Sequence, residues 1–196
     1  YILCQLGCAA YENGNNNESI TYFRAAHRHD ANIIDCMDIY ASALYFNKDK
    51  QSLLQLSHDV IATDNNRYES WLVVALFTLL SQSASSSSSS TTSTSNPNPT
   101  ISKEDVEKAM VFIDKAMNIN SKSAHAYRLK GHLYMLQTRY EQSVISYFQA
   151  LSLERHIDAH VGLVEANLHL EKLVEAETAA QEAVESLSQC ARAHIL

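Results

Sequence analysis

Glycine and proline are scarce in this sequence, which has four Gly and two Pro among 196 residues. β-Sandwiches and barrels depend on many turns that use these two residues, so their scarcity argues against an all-β fold. The chain is 46% apolar and 19% charged, a composition typical of a protein with a packed core. We therefore predict an all-α fold.

Long apolar runs and an excess of positive charge are also missing. The longest uninterrupted apolar run is Trp71–Phe77, whereas a membrane-spanning helix needs about 20 such residues. The formal net charge is −7, and binding to nucleic acid or to an anionic membrane surface depends on clustered Lys and Arg. We expect neither a nucleic-acid partner nor a membrane partner.

The cysteines show no spacing typical of a disulfide framework, which indicates a reducing, intracellular compartment; they are Cys4, Cys8, Cys36 and Cys190. Cys4 and Cys8, with His27 and His29 further along, could be considered as zinc ligands. Structural zinc sites use two matched, closely spaced ligand pairs, and histidines two residues apart on a helix point to different sides. We favour the interpretation that the cysteines pack as small apolar residues of a helix. We therefore expect no metal and no cofactor.

No arrangement of residues indicates catalysis. The nine histidines are scattered along the chain, without a paired nucleophile and without a glycine-rich phosphate loop. We predict no catalytic residue and a protein that is not an enzyme.

The most informative stretch runs from Ala126 to Ala150 and reads as two amphipathic helices joined by a turn at Gln137–Arg139. The pattern recurs with a period of 34 residues, since Leu3, Met37 and Trp71 are 34 apart, as are Tyr127 and Val161. A fixed period of this length is typical of a repeat solenoid. An extra 22 residues separate the two series and coincide with a Ser/Thr/Asn-rich tract.

Small residues recur at three positions of the period, where they allow the two helices of a repeat to touch. The predicted repeat-packing residues are Gly7, Ala41, Ala75, Gly131, Ala109, Ala116, Ala150 and Ala176. We predict two repeats and the first helix of a third in 1–80, a disordered insert in 81–102, and the remaining helices in 103–196. That last part includes the start of a sixth pair at 189–196. The insert is either a phosphorylated regulatory loop or a neutral expansion, and we favour the second.

The order of aromatic, glycine, tyrosine, small residue, aromatic and alanine resembles the tetratricopeptide repeat (TPR); in this sequence it is carried by Tyr127, Gly131, Tyr134, Ser143, Tyr147 and Ala150. The resemblance implies a right-handed superhelix of about five antiparallel helix pairs. It also implies a concave groove lined by positions 2, 5, 9, 12 and 13 of the first helix in each repeat.

The family's chaperone-binding members use a carboxylate clamp of Lys, Asn and Arg. Here the clamp positions hold Cys4, Cys8, Ile39, Glu69 and Val73, so we expect no such clamp; a shift by one repeat, to Asp38 and Ser42, also fails. The candidate partner-groove residues are Leu72, Leu76, Leu79, Leu80, Arg128, His132 and Met135. The leucines could instead be buried by neighbouring helices. The cluster of His125, Arg128 and His132 could bind an acidic tail or form a solvated face.

Several short motifs are similar to the subunit-seven family among the TPR subunits of the anaphase-promoting complex; they begin at Asp38, Trp71, Lys115, Leu129 and Val161. The resemblance implies a non-catalytic scaffold in a ubiquitin ligase of the cell cycle, located in the nucleus and cytoplasm. It implies contact with other TPR subunits and homodimerisation. We predict that the apolar stripe of leucines at 72, 76, 79 and 80 takes part in the dimer interface. The alternative is a TPR targeting or cofactor-binding domain of a larger enzyme.

Overall fold

The computed structural model of the protein describes residues 1–82 and 103–187. Within these two ranges the chain forms ten α-helices and no strand, which confirms the predicted all-α class. The helices are α1 (Ile2–Glu12), α2 (Asn16–His29), α3 (Met37–Phe46), α4 (Lys50–Thr63), α5 (Tyr68–Gln82), α6 (Lys103–Ile119), α7 (Ala124–Leu136), α8 (Tyr140–Leu153), α9 (Ile157–His169) and α10 (Leu173–Ser186).

The helices pack as five consecutive pairs, α1 with α2 through α9 with α10, and each pair also contacts the next. We call the odd-numbered helix of each pair helix A and the even-numbered one helix B. Since every element packs mainly on its sequence neighbours, the structure is a solenoid, as predicted.

Small residues form the contact between helix A and helix B of a pair, and all eight predicted packing residues are buried. In the first pair, the Ser19 hydroxyl donates to the Gly7 carbonyl at 2.8 Å. In the fourth, Ser143 donates to Gly131 at 2.9 Å. The sequence suggested a helix backbone lying against Gly131. The structure places the ring of Tyr147 there instead, and a Cβ at Gly131 would lie 2.9 Å from that ring.

The turn between helix A and helix B has the same backbone in four of the five pairs. Its second residue has a positive φ: Gly14 (78°), Lys48 (57°), Thr138 (59°) and Glu171 (59°). The amides of this residue and the next bond back to carbonyls of helix A, for example Thr138 to Met135 and Arg139 to Tyr134, both at 2.9 Å. This is the Schellman geometry that ends a helix. The fifth connection, between α5 and α6, contains residues 83–102.

The leucines of α5 do not form an exposed stripe, so the prediction that they form an apolar face of the groove is wrong. Leu72 and Leu79, at 0% and 2% exposure, belong to the core shared with α6 and α7. Leu76 and Leu80, at 2% and 8%, belong to the core shared with α1–α4. Because α5 is apolar on nearly every side, it is enclosed by its neighbours rather than half-buried.

The boundaries differ slightly from those expected. Helix α5 extends through Ser81 and Gln82, two residues past the expected end of the first segment, and α6 begins at Lys103 as expected. The Ser/Thr-rich tract that is predicted to be disordered includes residues 83–102, which lie outside the described residues. The start of a sixth helix pair, expected at 189–196, also lies outside them. In the described part of the chain, no helix is both long and apolar enough to cross a membrane.

Candidate partner-binding channel

The helix A residues enclose a channel on the inner side of the solenoid, with two adjoining cavities of about 220 and 400 Å³. The ends of the described solenoid meet across it. The Tyr11 hydroxyl on α1 donates to the Asp158 carboxylate on α9 at 3.1 Å. The ring centroids of Tyr11 and His156 are 6.0 Å apart. The inner surface is therefore a closed passage rather than an open groove.

A buried polar network crosses the channel from α3 to α7. His125 Nδ1 lies 2.8 Å from Asp38 Oδ2, and His125 Nε2 lies 3.0 Å from Ser42 Oγ. Because a carboxylate only accepts hydrogen bonds, Nδ1 carries the proton and donates to Asp38. All three residues are at most 8% exposed. The network joins the second repeat to the fourth.

Asp38 remains ionised in this setting. Burial by itself raises the pKa of the Asp38 carboxyl, but His125, the Ile39 amide and Arg128 together hold that pKa below its ordinary value. The Ile39 amide donates to Asp38 Oδ1 at 3.0 Å. The negative charge is thus compensated on several sides.

Serine, histidine and aspartate, the residue types of Ser42, His125 and Asp38, also make up the catalytic triad of serine hydrolases. A nucleophile must reach substrate and needs amide donors for the oxyanion. Ser42 is 2% exposed, sits within helix α3, and its Oγ lies 3.1 Å from the Asp38 carbonyl oxygen as well. This arrangement stabilises the contact between repeats and does not present a nucleophile.

Arg128 and His132, two of the residues predicted for the groove, line the channel. Arg128 is 8% exposed, and its Nη1 has no hydrogen-bond partner among the described residues; the same is true of His132 Nε2. Burial lowers the pKa of His132, whose ring packs edge-on against Tyr45. Leu76 also borders the channel, whereas Met135 packs against the core of α8–α10.

The sequence interpretation missed most of the polar lining: Tyr11, Asp38, Ser42, His125 in its buried role, and Asp158. A usable signal was present, since Asp38 and Arg128 occupy position 5 of their repeats and Ser42 and His132 occupy position 9. Comparing these positions only with the residues of the chaperone clamp does not reveal that they line the same channel. Pairing equivalent positions across the superhelix would have placed opposite charges together.

The residues considered as zinc ligands lie apart. His27 Nε2 is 3.1 Å from Asp59 on α4, and Cys4 is 2% exposed in the core. Among residues 1–82 and 103–187, no group of three or more His, Cys, Asp or Glu is placed to hold a metal ion.

The tetratricopeptide repeat family profile matches residues 1–28 and 124–156. These ranges cover the first helix pair and α7–α8, which are the two pairs with a glycine in helix A under an aromatic ring of helix B. The chain contains tetratricopeptide repeats. The remaining pairs repeat the same TPR turn or the same packing positions with other residues.

Known proteins similar to this TPR chain include several subunits of the anaphase-promoting complex. Subunit 7 from Arabidopsis thaliana is 27% identical over 92% of this chain and 28% of its own length. Subunit 3 from Schizosaccharomyces pombe is 23% identical over 83% of this chain and 21% of its own length. The chain thus spans less than a third of the relatives that it matches.

Solved structures show the same TPR fold. A TPR protein from Thermus thermophilus superposes with a TM-score of 0.71, covering 99% of this chain and 98% of that one, at 18% identity. The Cut9–Hcn1 hetero-tetramer of the anaphase-promoting complex gives a TM-score of 0.75 over 91% of this chain and 30% of that one, at 13% identity. The predicted TPR solenoid is therefore confirmed.

Proposed function

We propose that this TPR segment serves as a non-catalytic scaffold in an anaphase-promoting complex, a multisubunit ubiquitin ligase that controls mitotic progression. The observation that carries the proposal is the breadth of the similarity. Relatives named as subunits 7, 3 and 8 of that complex match 92%, 83% and 69% of this chain. The proposed partners are other TPR subunits of the complex, and the proposed cellular location is the nucleus and cytoplasm.

The surface chemistry supports a scaffold role. Helix B residues carry large apolar side chains on the outer face, among them Ile145 at 56% and Phe148 at 67% exposure on α8, and Val174 at 70% on α10. Ile145 and Phe148 lie one helical turn apart on α8, and neighbouring apolar side chains that remain exposed to water often mark contacts with other proteins. In a stacked assembly, such outer faces meet neighbouring subunits.

Affinity purification of the tagged full-length protein, followed by mass spectrometry, tests the proposal. We expect the other subunits of the complex in the eluate. Phe148→Glu should lower their recovery, whereas the matched control Gln149→Glu, on the same helix and also exposed, should leave it unchanged. An eluate without these subunits, or a catalytic domain in the full chain that acts independently of them, would favour the TPR domain of a larger enzyme instead.

Homodimerisation belongs to the same proposal, but the leucines of α5 cannot supply its interface because they are buried within one chain. Sedimentation velocity at micromolar concentration tests the dimer, with a clean monomer contradicting it. Leu76→Glu is not a useful interface variant, since a charge at a 2% exposed position destabilises the fold itself.

A further inference from the structure

The inner channel contains two buried polar atoms that no described residue satisfies. Arg128 Nη1 and His132 Nε2 have no hydrogen-bond partner within residues 1–82 and 103–187, and both residues line the cavity of about 220 Å³. Arg128 is 8% exposed. The two residues are one helical turn apart on α7, so they lie on the same face of the helix. Because buried polar groups without a partner are costly, this cavity suits a hydrogen-bonding ligand.

The charges around this cavity determine which ligand group it accepts. The guanidinium of Arg128 already helps to hold Asp38 in its ionised form, and Asp158 and Glu165 add two carboxylates to the cavity lining. A ligand carboxylate would therefore be repelled by both of them. The suitable group accepts a hydrogen bond from the guanidinium and carries no negative charge.

A primary carboxamide has this chemistry, because its oxygen accepts hydrogen bonds and its NH2 group donates them. Burial lowers the pKa of His132, so its ring is neutral at neutral pH and Nε2 donates or accepts according to the tautomer. A carboxamide can pair with either form. A hydroxyl has only one oxygen for two atoms that are a helical turn apart. In a trans peptide group the carbonyl and the N–H point in opposite directions, so one backbone unit cannot reach both atoms.

Apolar side chains line the same cavity. Leu76 of α5, Leu129 of α7 and Val161 of α9 are among them, and they provide a surface for the aliphatic stem of a glutamine and for apolar residues beside it. Arg128 also lines the adjoining cavity of about 400 Å³. A chain segment that lies in the larger cavity can therefore place one side chain against Arg128.

We propose that the inner channel binds an extended segment of a partner protein and holds the side-chain carboxamide of one of its glutamines between Arg128 and His132. The carboxamide oxygen accepts from Arg128 Nη1, and the apolar residues that flank the glutamine pack on Leu76, Leu129 and Val161. This site lies on the inner surface, so it depends neither on the apolar outer faces nor on membership of any complex.

The test uses the 196-residue chain and three peptides of the form acetyl-Leu-X-Leu-amide, in which X is glutamine, glutamate or methionine. Because both ends are blocked, the peptides differ only in the central side chain. We expect the glutamine peptide to bind about ten- to a hundredfold more tightly than the other two, since it alone pairs both buried atoms without adding charge. Nuclear magnetic resonance titration measures each affinity, and the glutamine peptide should shift the ring nitrogen signals of His132.

Two variants remove the site with little change to its surroundings. Arg128→Lys keeps a positive charge near Asp38 but loses the planar guanidinium. His132→Phe keeps a ring against Tyr45 but loses both ring nitrogens, and it also assigns the His132 signals by their absence. Each variant should abolish the preference for the glutamine peptide.

Arg139→Lys, at an exposed turn, and His160→Phe, at a buried position of α9 that lines a different cavity, are the matched controls and should keep the preference. Circular dichroism checks that each variant is folded. In the unchanged protein, tightest binding of the glutamate peptide would overturn the proposal in favour of a carboxylate site. Equal binding of the three peptides, or no binding of the glutamine peptide, would also overturn it, as would a preference that survives in folded Arg128→Lys and His132→Phe.

Discussion

At the scale of single residues, the ring of Tyr147 sets the distance between three helices. The ring projects from α8 and is 5% exposed, with Gly131 of α7 and Gly162 of α9 beside it. An added Cβ would lie 2.9 Å from the ring at Gly131 and 2.2 Å at Gly162. Both distances are too short for a carbon–carbon contact, so each glycine is required by the space that the ring occupies.

Replacing these glycines should destabilise the protein. Overpacking costs typically about 1–3 kcal/mol, and the better helix propensity of alanine returns at most about 1 kcal/mol. We expect Gly162→Ala to lower the free energy of unfolding by roughly 1–2 kcal/mol, Gly131→Ala by less, and Gly131→Leu by about 3 kcal/mol. Urea denaturation measures each value.

A smaller side chain at 147 provides the control. In a Tyr147→Leu background the clash is relieved, so Gly162→Ala should become neutral or stabilising because only the helix propensity remains. A Gly162→Ala variant that stabilises the wild-type background would show that the ring does not occupy this space.

Two buried histidines, His132 and His160, make the stability depend on pH. Burial lowers the pKa of each, although Glu182 partly opposes this at His160. The unfolded chain takes up these protons near pH ~6.5 and the folded chain only at lower pH, so the unfolded form binds more protons between the two values. Stability is therefore complete above about pH 6.5 and falls as the pH drops below it.

We predict that the free energy of unfolding declines between about pH 7 and pH 5.5, by up to about 1.4 kcal/mol per pH unit for each of these histidines. Urea titrations at several pH values provide the measurement. His132→Gln should reduce the slope, because that proton is no longer taken up. A free energy that stays constant down to about pH 5.5 would contradict the assignment.

At the scale of elements, the helix pair has one feature that the sequence predicts, its small packing residues, and one that it mostly does not, the left-handed turn between its helices. The small packing positions could be predicted because size is visible in each residue, and all eight are buried. The left-handed turn could be anticipated only at Gly14, since Lys48, Thr138 and Glu171 are not residues that favour a positive φ. There the Schellman hydrogen bonds of the backbone override the local preference of the side chain.

Thr138 offers the clearest test of this turn, because a β-branched residue is poorly suited to a φ of 59°. Thr138→Asn should raise the free energy of unfolding by roughly 0.5–1 kcal/mol, since asparagine tolerates this conformation. Gln137→Asn, one residue earlier at a φ of −87°, is the matched control and should bring no gain. Equal effects at the two positions would mean that backbone strain at 138 is absent.

At the scale of the whole molecule, the solenoid brings helix A of separate repeats together around the channel. The sequence could not show this, because the contact between Asp38 and His125 joins residues 87 apart in the chain. Whether this contact forms depends on how far the superhelix turns per repeat, and no local sequence pattern determines that angle. For the same reason the leucines of α5 resembled a free groove face in the sequence and proved to be enclosed.

The most direct measurement is a double-mutant cycle on Asp38 and His125, since these two residues are in contact only if α3 and α7 meet across the inner channel. We expect Asp38→Ala and His125→Ala to couple by about 2 kcal/mol, because each single change leaves a buried polar partner uncompensated. Exposed His58 of α4, changed to alanine and combined with Asp38→Ala as a control, should show additive effects. If the Asp38 and His125 changes are instead additive within about 0.5 kcal/mol, then α3 and α7 do not meet across the channel, which contradicts this account of the inner surface.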